Sequence, residues 1–115
     1  MADPQHWPEE LDALIAAPRH HRLLMENDTV RMIETHVPAG ETVPLHTHRW
    51  PCALYVLSWS DCLRRDPEGH ITSDSRQGNM AEHYAGWSGP LPPHTLENIG
   101  PNEIRVIHVE MKHVP

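Results

Sequence analysis

Three histidines in this chain have the spacing of metal ligands. His46 and His48 lie two residues apart, and His94 follows far downstream after a proline-rich stretch. Side chains two residues apart on a strand point to the same face of a sheet, so one strand can direct both imidazoles at one ion. Neutral imidazole is the commonest metal ligand in proteins, and a histidine from a neighbouring strand would complete one face of the coordination shell. The pattern predicts a metal centre with positions left open for water, oxygen or a bidentate ligand.

Other interpretations of these residues stay open at the level of sequence. The closely spaced histidine pair could instead be two hydrogen-bonding strand residues. Cys52 has three interpretations: a thiolate ligand that would favour zinc or a softer metal, a residue beside the ligands, or a small buried apolar side chain. Among the eleven histidines, His108 could face the interior of the fold but is not expected to bind the metal. His20 and His21 are expected to form a solvated pair.

A catalytic metal site also needs a shaped cavity, and residues near the histidines are candidates for its walls. Arg49 could hold a carboxylate through two parallel hydrogen bonds, although a surface arginine is an equally good interpretation. Trp50 and Trp87 are expected to pack in the core or at a dimer interface, because the chain has no phenylalanine. Arg64 and Arg65 are interpreted as a solvated strand end. The candidate pocket residues are Arg49, Trp50, Tyr55, Trp87, Asn98 and His108.

Length and charge limit the classes of function. With 115 residues and a net charge of -7 at pH 7, the chain is expected to form one domain without a nucleic-acid partner or an anionic membrane partner. Small domains are marginally stable, so a homodimer is expected. Residues 1–10 lack the basic and apolar regions of a signal peptide, and no apolar run approaches the length of a membrane span. These features predict a cytoplasmic protein.

The two cysteines are not spaced as a redox or zinc motif. If residues 58–61 form a hairpin turn, Cys52 lies opposite a residue near Pro67 rather than opposite Cys62. A disulfide between the two cysteines is therefore not expected, which agrees with a reduced cytoplasmic setting.

The pattern of apolar and turn-forming residues predicts one short helix followed by strands. Residues 8–17 begin with proline and acidic residues and stop at Pro18, and Leu11, Leu14 and Ile15 would form the apolar stripe of this helix. Strands at even spacing with turn residues between them indicate a sandwich or barrel. The expected division is an N-terminal helical arm at 1–19 and a single barrel at 20–115. The predicted strands are 30–37, 42–46, 52–59, 61–65 as a hairpin partner of 52–59, 70–75, 80–87, 94–99 and 104–111, with a rigid turn at 86–93.

Two motifs in residues 30–111 resemble those of the cupin family. Gly40-x5-His46-x-His48 is similar to the opening of the first cupin motif, and His94-x3-Asn98 is similar to the end of the second. The resemblance implies an all-β double-stranded β-helix, which is a jelly-roll barrel, with a divalent metal near one mouth. It also implies that the three histidines of these motifs are the ligands.

The chain departs from the cupin motifs at several positions. The family's fourth ligand, a glutamate, falls where this chain has Cys52 and Ala53. The glycine that closes the first motif is replaced near Trp59 or Ser60. The Pro-x-Gly of the second motif falls on Gly89 and Leu91. The fourth ligand and the identity of the metal are therefore open.

The expected function is that of a small metal-binding cupin. Through the resemblance, a metal-dependent enzyme of dioxygenase type is favoured, with Fe(II) as the metal and zinc, manganese or nickel as alternatives, acting on a small anionic or chelating molecule. The alternative is a non-catalytic module that binds a small molecule, because fold does not imply function. A third interpretation is an interaction protein in which the histidines are incidental. The chain has no G-x-S-x-G elbow, P-loop or G-x-G-x-x-G motif.

Overall fold

Nine antiparallel strands make up most of the computed structural model, which describes residues 3–113. They are β1 (His21–Glu26), β2 (Val30–Val37), β3 (Thr42–His48), β4 (Cys52–Ser58), β5 (Cys62–Arg65), β6 (Ile71–Asp74), β7 (Ala85–Ser88), β8 (Leu91–Asn98) and β9 (Ile104–Met111). Short 3₁₀ turns lie at Pro4–His6, Glu9–Leu11 and Ser75–Gln77, and one α-helical turn, α1, spans Ala13–Ala16. No helix in this part of the chain is long and apolar enough to cross a membrane.

The strands form two sheets, as expected for a jelly-roll barrel. The five-stranded sheet has the order β1-β2-β9-β4-β7, and the four-stranded sheet has the order β3-β8-β5-β6. Consecutive strands repeatedly change sheets, for example β2 to β3 and β4 to β5. Gly40 lies in the turn between β2 and β3 with a φ of 82°, a conformation that glycine adopts without strain. This turn brings the segment with His46 and His48 from one sheet to the other.

The interior between the sheets changes from apolar at one end to polar at the other. Side chains alternate along a strand, and the inward positions of β9 are Ile104, Val106, His108 and Glu110 in that order, which the burial pattern and cavity lining support. The apolar core collects around the first half of this series, with contributions from both sheets such as Val43 and Val56. The second half of the series, His108 and Glu110, places polar side chains at the other end of the interior, where a binding site could form.

The predicted helix over 8–17 is wrong in extent. Asp12 has an extended backbone, with φ -52° and ψ 139°, and it separates the turn at Glu9–Leu11 from α1. Its carboxylate accepts a hydrogen bond from the backbone N–H of Leu14 and also pairs with Arg31. The expected apolar stripe is wrong as well, because Ile15 is 57% exposed while Ala13 is buried. A tertiary ion pair has overridden the local helical pattern.

Most predicted strands are confirmed, with altered ends. The strands over 30–37 and 104–111 have the predicted bounds, and they pair along their whole length. The strand predicted at 42–46 extends to His48, and the predicted 52–59 ends at Ser58. The residues 21–26 form β1, a strand that was not predicted, and it pairs with β2.

The predicted hairpin between 52–59 and 61–65 is wrong. β5 pairs with β6 and β8 in the other sheet, not with β4. The predicted placement of Cys52 opposite a residue near Pro67 is wrong for the same reason. Both Cys52 and Cys62 are nevertheless free thiols, as expected.

The region with several prolines is more extended than predicted. The strand predicted at 80–87 is confined to β7, and the turn predicted at 86–93 is reduced to the short link before β8. Pro92 and Pro93 lie within β8, where His48 is opposite Leu91 and His46 is opposite His94. This shift in register places the prolines at an irregularity of the ladder, where a missing N–H donor is tolerated.

The proposed division into an arm at 1–19 and a barrel at 20–115 stays a prediction. Residues 1, 2, 114 and 115 lie outside the described residues. Within them, Asp12 forms a bridge with Thr47 of β3 and an ion pair with Arg31 of β2, so the N-terminal segment is bound to both sheets.

Candidate metal centre

Histidines from both sheets converge at the polar end of the interior. They are His21 from β1, His46 and His48 from β3, His94 from β8 and His108 from β9. Ring nitrogens of His21, His46 and His48 lie within 4.8 Å of one another. The ring of His94 packs on His46 with a centroid separation of 4.3 Å, and His108 stacks on His48 at 5.6 Å. The most compact trio therefore contains His21, while the predicted ligand His94 lies directly beside it.

Hydrogen bonds orient four of these rings in the same way. The Nδ1–H of His46 donates to the carbonyl oxygen of Pro44, and that of His94 to Pro92, both at 2.7 Å. His21 donates from Nδ1 to Ala17 at 3.0 Å. The fourth ring donates to a carboxylate, as His48 Nδ1 lies 3.3 Å from Glu110 Oε2. With the proton on Nδ1, the lone pair is on Nε2, which is the arrangement of metal-binding histidines.

Burial keeps the imidazoles neutral at ordinary pH. Desolvation is the largest effect in each case, and it lowers the pKa of His21 and His94 to about 3 and that of His46 and His108 to about 4. The pKa of His48 is also well below its usual value because the ring is buried and adjoins other histidines. Only neutral imidazole binds a metal ion, so the cluster is in the required protonation state.

A buried chain of ion pairs contacts His48 through its Nδ1 atom, on the side of the ring opposite Nε2. Arg31 donates to both carboxylate oxygens of Asp12, at 2.9 and 3.0 Å, and to Glu110 Oε1 at 2.7 Å. Burial raises the pKa of Glu110, an effect that the neighbouring Arg31 opposes. Arg49 also acts on Glu110, so two guanidiniums adjoin the two carboxylates. Carboxylates that bind the far nitrogen of a ligand histidine also fix its orientation.

Cys52 lies beside the cluster as a thiol. Its sulfur is 3.6 Å from Nδ1 of His108, and the Nε2 of that ring is 2.9 Å from the hydroxyl of Thr35. Burial raises the pKa of Cys52 to about 11, so the thiolate needed for a ligand is disfavoured. Because both nitrogens of His108 have neighbours, we assign His108 and Cys52 to the wall of the site rather than to the ligand set.

A cavity of about 280 Å³ opens from the histidine cluster towards the apolar core. Four of the residues suggested from sequence line it, namely Trp50, Cys52, Trp87 and His108. Aromatic side chains supply much of the remaining wall, including Trp59 and Tyr84. A pocket of this size and apolar character suits a small organic molecule.

Three suggested pocket residues do not line this cavity, and these suggestions are corrected. The guanidinium of Arg49 lies 4.6 Å from the ring centroid of Trp50 and does not reach the cavity wall. Tyr55 is 40% exposed on the outer face of β4, where its hydroxyl is 3.1 Å from His83. Asn98 is buried but donates to the carbonyls of Val37 and Asn102, so it holds loops together.

Two residues that line the cavity, His21 and Arg64, were not anticipated from the sequence. His20 and His21 were expected to be solvated, but both are buried, with 5% and 4% exposure. His21 is opposite Thr35 in the β1–β2 ladder, and Thr35 faces the cavity. Arg64 was expected at a solvated strand end, but it lines the cavity. Neither residue has a local spacing signal, because each is placed by pairing with a distant strand.

The donor set fits a divalent transition metal. Nδ1 is bound to an acceptor in all four imidazoles, which leaves Nε2 to bind an ion. Ring nitrogens of His21, His46 and His48 lie close enough together to share one ion. Imidazole ligands suit iron, zinc, copper and nickel, so the donor set does not select one metal. His21, His46 and His48 form the compact group that could hold an ion, and His94 lies beside it.

Comparisons with known proteins agree on the fold. No family model matches this chain, and no curated protein matches it. Among solved structures, it is similar to a cupin domain protein from Bordetella pertussis, with a TM-score of 0.65 and 19% identity over 81% of this chain and 92% of that one. It is also similar to an RmlC-like cupin from Methanocaldococcus jannaschii, with a TM-score of 0.56 and 17% identity over 81% of this chain and 79% of that one.

A third similar structure is that of an enzyme. The polyketide cyclase RemF from Streptomyces resistomycificus has a TM-score of 0.53 and 21% identity, covering 83% of this chain and 66% of RemF. Identities this low establish a shared architecture and not a shared reaction. With its two antiparallel sheets and these neighbours, the chain is a small domain with the cupin fold.

Proposed function

We propose that this chain is a metal-dependent enzyme, of dioxygenase type in the favoured version, that acts on a small anionic or chelating molecule. The observation that carries the proposal is the set of four buried imidazoles whose Nδ1 atoms are all bound to acceptors, next to a cavity. Buried polar atoms are normally hydrogen-bonded, and a buried cluster of unprotonated Nε2 atoms therefore supports a role in binding an ion.

The residues of the site have separable roles in this proposal. His21, His46, His48 and His94 would hold the ion, with Fe(II) favoured and zinc, manganese or nickel as alternatives. A bound divalent ion would supply Lewis-acid or oxygen chemistry to a molecule in the cavity. Glu110 orients His48, and the apolar walls exclude water, which strengthens electrostatic interactions with a bound molecule.

The alternative function is a binding module that holds a small molecule without turnover. An all-imidazole donor set suits zinc as well as iron, and one similar structure is that of a polyketide cyclase. Within the enzyme proposal, these two points support screening for reactions that need no oxygen alongside the screen for oxygen uptake.

Elemental analysis of untagged protein, purified without added metal, tests the metal site. We expect near-stoichiometric metal in the parent and a large loss in His46→Ala and His21→Ala. His36→Ala is the matched control, because His36 lies on the neighbouring β2, is partly exposed and contacts Glu103 instead of the cluster. A parent that is metal-free and stays so after anaerobic loading with Fe(II), Mn(II) and Zn(II) would contradict the enzyme proposal.

Oxygen uptake separates the enzyme from the binding module. The metal-loaded parent is screened against small organic acids and chelating molecules, and His46→Ala serves as the blank. Substrate-dependent oxygen consumption supports the dioxygenase version. A ligand that raises the melting temperature with neither oxygen consumption nor product formation supports the binding module instead.

The proposal includes a homodimer and a cytoplasmic setting. β1 is an edge strand that exposes Leu23, Leu24 and Met25, and an exposed edge of this kind supports pairing with a second copy. The free thiols of both cysteines support a reducing compartment. Light scattering of the purified chain tests the dimer.

A further inference from the structure

Arg64 faces the cavity without a partner for its charge. It lies on β5 opposite Leu96 of β8, and both side chains line the cavity. The Nε of Arg64 is buried and forms no hydrogen bond within residues 3–113. Desolvation lowers the pKa of this guanidinium, and within residues 3–113 the effect is opposed by Cys62 alone. Burying a cation without a counter-ion is costly, so an anion that binds beside such a group would be stabilised.

Three other arginines help to define the situation of Arg64. Arg49 also has a buried Nε without a hydrogen bond, but its guanidinium lies against the Trp50 ring and does not line the cavity. Arg31 binds two carboxylates, Asp12 and Glu110, at 2.7 to 3.0 Å. Arg65, the neighbour of Arg64, points to the opposite face of β5 and pairs with Glu97 at 2.7 Å. Among the described residues, no aspartate or glutamate lines the cavity. The protein itself therefore supplies no anion for Arg64.

The position of Arg64 relates it to the histidine cluster. Leu96 is opposite Arg64 in the ladder, and His94 lies two residues before Leu96 on the same face of β8. Such diagonal neighbours have β-carbons roughly 7–8 Å apart or less, a gap that a small molecule can span. The charge of Arg64 is among the effects that lower the pKa of His46 and His94, which agrees with this proximity.

We propose that Arg64 binds the carboxylate of a small organic acid whose apolar or aromatic body lies against the wall formed by Trp59, Met80, Tyr84 and Trp87, and whose other end faces the histidine cluster. The guanidinium fork matches a carboxylate in a bidentate contact. A singly charged acid suits the cavity better than a phosphate, because Arg64 is the only permanently charged side chain among the described residues that line it. The inference rests on the proposed function, for which it names the class of substrate.

Calorimetric titration with benzoate, and with benzamide as its neutral counterpart, tests the assignment. We expect the parent to bind benzoate and to bind benzamide much more weakly. Arg64→Met should weaken benzoate binding by roughly thirty-fold or more, the typical effect of removing one partner of a buried charge pair. Arg64→Lys should lie between the two, because it retains the charge but not the fork. Arg65→Met is the matched control and should stay within about twofold of the parent, since its partner Glu97 is outside the cavity.

Thermal melting of the ligand-free proteins separates a binding role from a structural one. Removing an unpaired buried charge should raise the melting temperature of Arg64→Met, whereas loss of a structural arginine would lower it. The assignment is overturned if neither benzoate nor phenylacetate binds the parent, if Arg64→Met retains benzoate affinity, or if this variant melts below the parent.

Metal content is measured on the same samples, and the titrations are repeated after metal removal. Arg64→Met should retain the metal of the parent, and its effect on benzoate should persist without metal. A metal-free parent with Arg64-dependent benzoate binding would contradict the proposed metal enzyme and leave the Arg64 site standing.

Discussion

Glu110 should control the affinity of the histidine cluster for metal, and Glu110→Gln tests this with little change of shape. Glu110 is 1% exposed and accepts hydrogen bonds from Arg31 on one oxygen and His48 on the other. The glutamine oxygen can still accept from Arg31, but the amide nitrogen then faces the Nδ1–H of His48, so two donors oppose each other. His48 then loses the carboxylate oxygen that accepts from its Nδ1–H and that fixes the orientation of its ring.

The expected effect is large enough to measure in two ways. Loss of a buried hydrogen bond to a charged group costs about 1.5–3 kcal/mol of unfolding free energy, and for a domain of this size the melting temperature should fall by roughly 5–10 °C. Loss of a carboxylate behind a ligand histidine typically weakens metal binding by about 10–100-fold. Competition with a chromophoric chelator, using Zn(II) and Fe(II) in turn, measures the metal Kd. Melting is measured on metal-free protein, because a bound ion would itself stabilise the fold.

Glu34→Gln is the matched control for this experiment. Glu34 is a buried carboxylate on β2 that pairs with Arg22 and Arg105, but it faces away from the cavity. Because Arg22 is largely exposed and Arg105 is partly exposed, solvent weakens both ion pairs, and the replacement should cost no more than about 1 kcal/mol. It should leave the metal Kd unchanged. The reasoning is refuted if Glu110→Gln loses stability but binds metal within about twofold of the parent. Glu110 would then have only a structural role.

Three further predictions concern acid stability, the thiol and a loop. The metal-free protein should lose stability as the pH falls below about 6.5. The unfolded chain then takes up protons on histidines whose pKa burial lowers to about 3 or 4 in the folded state. Each such histidine should lower the free energy of unfolding by about 1.4 kcal/mol per pH unit between these values, and urea midpoints between about pH 5 and 7 would measure the loss. Cys52→Ser should retain the metal content of the parent by elemental analysis, since its pKa of about 11 keeps the sulfur protonated. Gly100→Ala should lower the free energy of unfolding by roughly 1–3 kcal/mol in urea titration, because the added carbon would crowd the Ser60 side chain and lie 2.9 Å from the backbone nitrogen of Asp61.

Each of these predictions has a contrary outcome. A pH dependence equivalent to less than one proton would mean that the histidines are not protected from protonation in the fold. A sharp loss of metal in Cys52→Ser would support the interpretation of Cys52 as a thiolate ligand. Gly89→Ala is the control for the loop, because nothing lies within 4 Å of its added carbon; equal destabilisation of both variants would contradict the crowding at Gly100.

The strands that form the barrel were predictable because their pattern is local. β2 and β9 have alternating or continuous apolar residues between turn signals, and their bounds were predicted without error. The helix over 8–17 failed because Asp12 has a partner, Arg31, that lies in a strand. Strand pairing was harder than strand location. The predicted hairpin of β4 with β5 was wrong because the two strands lie in separate sheets that face each other, and both strands contribute residues to the shared core.

Local spacing also accounts for what could be predicted of the candidate site. The sequence alone placed His46 and His48 on one face of a strand and singled out His94 as a distant third. In the structure His46 is opposite His94 in the β3–β8 ladder. The two also share a Pro-x-His arrangement, in which the proline carbonyl accepts from Nδ1.

Only the tertiary structure brought His21 and Arg64 to the same cavity and placed Glu110 in contact with His48. These residues come from β1, β5 and β9, and no periodicity along the chain relates them. The Glu110–Arg31 contact joins residues 79 positions apart. Alternation within a strand determines which side chains share a face, and it follows from the geometry of the backbone. Which strands become neighbours is decided by burial of apolar surface over the whole domain. The sequence alone therefore determined the motif of three histidines, while the packing of two sheets added His21, the Glu110 carboxylate and the unpaired Arg64 to the site.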